Sequence, residues 1–256
     1  MSERHAELVS LLNRCDQNLL AGPANLPGWD RLTVVCHLRY GAEANARMTE
    51  DILNRVPTAF YPEGPEQRPV TLIPRSGETG RDVVTSFAES CALLDMTWGA
   101  IGEAVWEMPL IEPGGNEDLG SITLGHLALL RLTEVEVHGT DLDIGAGDWS
   151  EVFVEAALPM RLHWLTERRS RPRSADYSIH GTWVLDAEDG EAYSIAASAE
   201  GVRVRSEDTT GPDVARILGT RRELLALLLG RISAEDLDRS GNADLASRFH
   251  RAFPPP

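Results

Sequence analysis

The chain has 256 residues, 24 basic against 40 acidic, a formal net charge of −16 and 42% hydrophobic residues. That size and apolar content suit one large domain or two small ones with a real core, and they exclude disorder as the default. Uniform acidity excludes nucleic acid as a partner, because neutralising phosphates takes basic surface.

The N-terminus, MSERHAELVS, is charged and lacks the apolar stretch of a secretory signal, so a cytoplasmic location is expected. Helical spacing of Leu8, Leu12, Cys15 and Leu19 predicts a first helix over about 3–20. Two prolines between Gly22 and Gly28 end it. Asp30 is a good N-cap for a second helix running to about Val56. The stretch 57–80, rich in proline, reads as a long loop, and such loops are often functional. Phe87, Cys91, Leu94, Trp98, Ile101 and Val105 form a bundle stripe on a third helix, about 81–106. A fourth helix follows over about 122–142 with Ser121 as its cap, and a fifth over about 150–169.

After Ser170 the texture changes. Segments 177–184, 192–197 and 201–205 read as short strands with Gly and Asp turns. Helical stretches are expected over 212–218, 221–229 and about 242–249. The expected organisation is α+β: a helical bundle over 1–150, a linking helix over 151–171, and a smaller α+β domain over 172–256. No apolar run approaches the length needed to cross a bilayer; Leu224 to Leu229 is typical.

The residues able to carry chemistry sit on helices two and four. Glu134 and His138 are four apart, about 40° apart on one helix face, so a carboxylate and an imidazole can both reach one metal ion. The same spacing also describes a surface pair. Leu127 and Arg131 share that face. On helix two, His37 lies in a stripe of Val34, Gly41, Ala44 and Met48, where a histidine is ordinarily a core residue. Gly41, however, costs about 1 kcal/mol relative to Ala in a helix and leaves room beside the ring. Two histidines and one glutamate with an open position form the ligand set of a catalytic zinc site, though nickel or iron(II) would accept it too. Asp141, three residues after His138, could hold its ring N–H. Glu136 is a rival ligand on another face, and His126 points away from the pair. The three cysteines, Cys15, Cys36 and Cys91, form no C-x-x-C, which excludes a cysteine zinc site and a disulfide framework.

L-P-G-W-D-R-L-T-V-V-C-H-L (26–38) and R-L-T-E-V-E-V-H-G-T-D-L (131–142) together resemble the two metal motifs of the mycothiol-dependent maleylpyruvate isomerase family, within the DinB-like bundle superfamily. D-V-A-R-I-L-G-T and L-L-L-G-R-I resemble the sterol-carrier-like domain that follows the bundle there. The resemblance implies Zn2+ held by His37, Glu134 and His138, and mycothiol as cosubstrate. It also implies arginines for substrate carboxylates: Arg68 or Arg75 in the long loop, and Arg231, Arg203 or Arg222 in the second domain. The absence of lysine fits a GC-rich, actinobacterial source.

The expected chemistry is activation of a low-molecular-weight thiol as thiolate for attack on an electrophilic small molecule. Retention of the thiol gives S-transfer or thiol exchange, the reading favoured at this level. Expulsion after bond rotation gives maleylpyruvate cis/trans isomerisation, the alternative. A non-enzymatic metal or small-molecule binding module is the reading from a different class.

Overall fold

The three longest helices of the N-terminal part, those beginning after Asp30, Thr79 and Thr123, each start at a side chain that satisfies a free N–H group. In the computed structural model, which describes residues 1–115, 119–166, 175–211 and 213–255, helix α1 spans Ser2–Leu12 and a short α2 spans Gln17–Leu20. The single helix expected over 3–20 is broken because the Asp16 carboxylate accepts from Leu19 N–H and starts a new turn. Leu19 is consequently exposed, and Leu20 takes the buried place. Helix α3, Arg31–Leu53, begins at Asp30, whose carboxylate accepts from Thr33 N–H. The loop that follows carries a 3-10 turn, Pro65–Gln67, and a one-turn helix α4, Arg68–Thr71.

Helix α5, Gly80–Gly99, starts with a Thr79/Asp82 capping box. It ends earlier than its apolar stripe suggests, because Gly102 is extended and residues 103–107 wind as a 3-10 turn. Helix α6, Leu124–Asp141, is capped by Thr123 with His126, not by Ser121. That gives His126 a local role at the helix start, on the exposed surface.

The core of this unit, Met1–Trp149, lies among α1, α3, α5 and α6. Leu8, Val34, Leu38, Phe87, Leu94 and Val135 are fully buried there. Each such side chain contributes roughly 1.5–3 kcal/mol of burial. The Phe87-to-Trp98 stripe of α5 faces inward as its spacing requires.

The second unit, Ser150–Pro256, opens with helix α7, Glu151–Trp164, which packs on helix α8, Arg221–Leu228. The linker expected over 151–171 and the boundary at 172 run into residues 167–174, outside the described set. A five-stranded sheet follows: β1 Gly181–Ala187, β2 Ala192–Ser198, β3 Gly201–Arg205, β4 Val214–Gly219 and β5 Asp238–Gly241. Its order is β3-β2-β1-β4-β5, parallel between β1 and β4 and antiparallel elsewhere.

Strand β4 corrects the helix expected over 212–218; Pro212 itself is outside the described residues. Ala215, Ile217 and Gly219 alternate inward, a period of two, and both edges of β4 are paired. Strand β5 was not anticipated, since all four residues are exposed and carry no apolar alternation. The terminal helix divides into α9, Ala243–Ser247, and α10, Phe249–Ala252. Trp183 on β1 anchors this unit, donating its indole N–H to the Leu245 carbonyl and packing edge-on against Phe253. No helix among the described residues is long and apolar enough to cross a membrane. The mixed helix-and-sheet architecture is the α+β class expected.

Candidate metal centre

Packing of α3 on α6 brings His37 against Glu134 and His138. His37 Nε2 lies 2.5 Å from Glu134 Oε2, and His138 Nε2 lies 3.3 Å from the same oxygen. One ligand atom from each residue falls within 4.8 Å of the others, and among the described residues no other group of three such side chains does this. Tetrahedral bonds of about 2.0–2.1 Å place ligand atoms ~3.3 Å apart, so a divalent transition metal needs only a small opening of the His37–Glu134 contact. Two neutral imidazoles and one carboxylate, with a fourth position left over, fit such an ion.

The surroundings fix the ligands. Asp141 Oδ2 lies 2.8 Å from His138 Nδ1, so the ring carries its proton there and turns Nε2 toward Glu134. His37 Nδ1 is buried without a hydrogen-bond partner. Trp29 lies parallel to His138 at 6.3 Å and edge-on to His37 at 5.6 Å, and the two imidazoles meet at 90°. The sequence Leu26-Pro27-Gly28-Trp29 explains this placement. Trp29 N–H donates to the Leu26 carbonyl and Gly28 has φ +81°, a tight turn needing proline then glycine. One turn thus supplies both the Trp29 wall and, next door, the Asp30 cap of α3.

Electrostatics follow from the same contacts. Burial opposes ionisation of Glu134, but hydrogen bonds and charge from His138 and His37 outweigh it and hold the carboxyl well below its usual range. Burial likewise opposes a charged His138, yet Asp141 and Glu134 push it up to about 9. The metal-free site therefore keeps a proton on His138 at neutral pH, and a metal must displace it. Affinity for a divalent transition metal is expected to rise about tenfold per pH unit between pH 6 and 8, with about one proton released. Titration calorimetry in buffers of different ionisation enthalpy measures this; a pH-independent affinity would contradict the assignment of the proton.

The arginines separate. Arg75 donates from Nη2 to both oxygens of Glu43 at 2.6 and 2.7 Å, and its Nη1 lies 4.0 Å from Glu78 Oε1, so two carboxylates already pair with it. Arg68 stands over the Trp29 ring at 5.9 Å and shares a hydrogen bond with Tyr61. No carboxylate among the described residues ion-pairs with it. Burial pushes the Tyr61 hydroxyl up against the pull of Arg68, and the Glu134 charge adds to the rise. Arg231 follows α8 in the second unit, where its N–H donates to the Ala226 carbonyl. Arg203 pairs with Glu200 and Arg222 with Glu151. Glu136, the rival ligand, is buried against Arg4 at 3.2 Å, on another side of α6.

Trp29 and Tyr61 were not singled out from sequence; Trp29 stood only inside a motif, and nothing local marks Tyr61. The gap beside Gly41 is also not open: a Cβ there would lie 2.8 Å from Arg131 Nη1, so the guanidinium fills it.

The family model described as mycothiol maleylpyruvate isomerase N-terminal domain matches residues 1–143. A solved structure described as the mycothiol-dependent maleylpyruvate isomerase is 19% identical, with a TM-score of 0.67, covering 94% of this chain and 90% of that one. A histidine-to-alanine mutant of such an isomerase matches with the same TM-score and coverage at 18% identity. At those identities the likeness speaks for the fold. No curated protein matches.

Proposed function

Because the chain belongs to the mycothiol maleylpyruvate isomerase N-terminal-domain family, we propose that it is a mycothiol-dependent enzyme acting at a zinc centre made by His37, Glu134 and His138. Its reaction, on this reading, is cis/trans isomerisation of a small unsaturated acid. The observation that carries the reading is the convergence of two imidazole Nε2 atoms and one carboxylate oxygen next to Trp29, over whose ring stands Arg68, a cation with no carboxylate partner among the described residues. The family's description supports isomerisation over thiol transfer, which the sequence alone favoured.

A divalent cation bound there favours the thiolate over the thiol at neutral pH. The rest falls to the chain. Asp141 holds the His138 proton on Nδ1 and keeps Nε2 directed at the site. Trp29 walls off one side of both imidazoles and excludes water from it. Arg68 holds a substrate carboxylate by a charge-assisted hydrogen bond and so orients the adjacent double bond. Thiolate addition to that bond moves its electron pair onto the conjugated carbonyl. The carbon–carbon bond, now single, rotates; the pair returns and the thiolate leaves. No atom is gained or lost, so the thiol is regenerated. The second domain, residues 172–256 by sequence, is read as sterol-carrier-like.

Zinc-loaded protein with a catalytic amount of mycothiol and an excess of maleylpyruvate tests this. The expected result is many turnovers to fumarylpyruvate with the thiol recovered. Consumption of one thiol per substrate would replace isomerisation by S-transfer. No reaction with the thiol present would overturn the reading for this acid.

A further inference from the structure

We propose that Arg131 is a positioning residue of the metal centre, a buried strut that sets the separation of the helices carrying His37 and Glu134. This rests on reading those residues as metal ligands. Gly41 follows His37 by one turn of α3, and Arg131 precedes Glu134 by about one turn of α6. The His37–Glu134 contact and the Gly41–Arg131 contact are therefore successive rungs between the same two helices. On the second rung α3 contributes no side chain. The guanidinium lies where a Cβ would need to be, with Nη1 2.8 Å from that position.

The guanidinium has little freedom to step aside. Arg131 is 1% exposed. Its Nη2 donates to His5 Nε2 at 3.3 Å and lies 3.9 Å from Cys91 Sγ. A guanidinium can only donate, so His5 Nε2 accepts and its ring proton sits on Nδ1, facing Asp95 Oδ1 at 2.9 Å. Residues of α1 and α5 thus brace the head of a side chain that begins on α6 and ends against α3.

Stability alone does not account for this arrangement. Nε and Nη1 of Arg131 are buried without hydrogen-bond partners, and no carboxylate among the described residues ion-pairs with it. A buried charge that leaves two of its nitrogens unpaired is costly, and an apolar side chain would fill a core position without that cost. What an apolar residue lacks is a rigid planar head long enough to meet α3 at a glycine. Placed one rung from the ligands, that head keeps the helices close enough for His37 and Glu134 to share one ion and far enough apart to admit it.

The test compares wild type, Arg131→Leu, Gly41→Ala and the double variant, with zinc affinity read by competition against a chromophoric chelator and unfolding temperature read without metal. Arg131→Leu is expected to unfold no lower than wild type yet bind zinc 10- to 100-fold more weakly, the range for groups that orient metal ligands. Gly41→Ala is expected to weaken zinc binding in the wild-type background, where its methyl displaces the guanidinium. It should cost nothing further beside Arg131→Leu, where the notch is empty. Should the leucine variant fail to fold, Arg131→Met takes its place in the cycle. Wild-type zinc affinity retained in the Arg131 variant, or an equal cost of Gly41→Ala in both backgrounds, would overturn the role of Arg131 alone. A wild type that binds no zinc would overturn the metal reading, and this inference with it.

Discussion

Replacing His37 with alanine is expected to abolish zinc retention and to lower thiol-dependent turnover by ~10³-fold or more, because one lost ligand leaves a two-point site that no longer holds an activating ion. The fold should survive. His37 is partly buried, with 12% of its side chain exposed, and its one hydrogen-bond partner among the described residues is Glu134. Its removal should cost about 1–2 kcal/mol, the usual range for such a site. His126→Ala is the matched control, an exposed histidine on α6 whose ring hydrogen-bonds to the Thr123 cap. It should keep its metal and its turnover. Equal zinc content in His37→Ala and wild type, measured by elemental mass spectrometry, would remove His37 from the ligand set.

Arg68→Ala is expected to lower kcat/KM by about 10- to 100-fold, since a charge-assisted hydrogen bond to a carboxylate is worth about 1.5–3 kcal/mol. Arg75→Ala should change it by less than about threefold, because that guanidinium already pairs with Glu43 and Glu78. A substrate ester lacking the carboxylate separates binding from packing. If Arg68 holds the acid, wild type and Arg68→Ala should process the ester at similar rates. The reverse ranking of the two arginines would move the carboxylate site elsewhere in the long loop.

Much of the candidate site was legible because helices are periodic. Glu134 and His138 share a face by spacing alone, and the stripe His37–Gly41 on the partner helix could be written down independently. Which stripe met which was a tertiary fact; neither helix encodes its neighbour. The glycine at 41 reads as room beside His37, and what fills that room, an arginine ninety residues away, is not written near it in the chain. Charge pairing was equally invisible. Nothing near Arg68 or Arg75 in the chain says that Glu43 engages one and Trp29 underlies the other. In the second unit the sequence misled where a strand was short and carried an arginine. Arg216 on β4 is matched by Asp186 and Asp208, partners from two other segments, and its presence disguised the alternation of Ala215 and Ile217. The early end of α5 is of the same kind: its apolar steps continue through Val105, while Gly102 turns the backbone extended.

The central claim is a metal held by His37, Glu134 and His138, and its most direct test is metal stoichiometry. Wild-type protein equilibrated with zinc at pH 7.5, stripped of loose ions on a weak chelating resin and assayed by elemental mass spectrometry, should hold about one zinc per chain. His37→Ala, Glu134→Ala and His138→Ala treated alike should hold almost none. Wild type emerging without zinc, or any of the three variants retaining a full equivalent, would contradict the account.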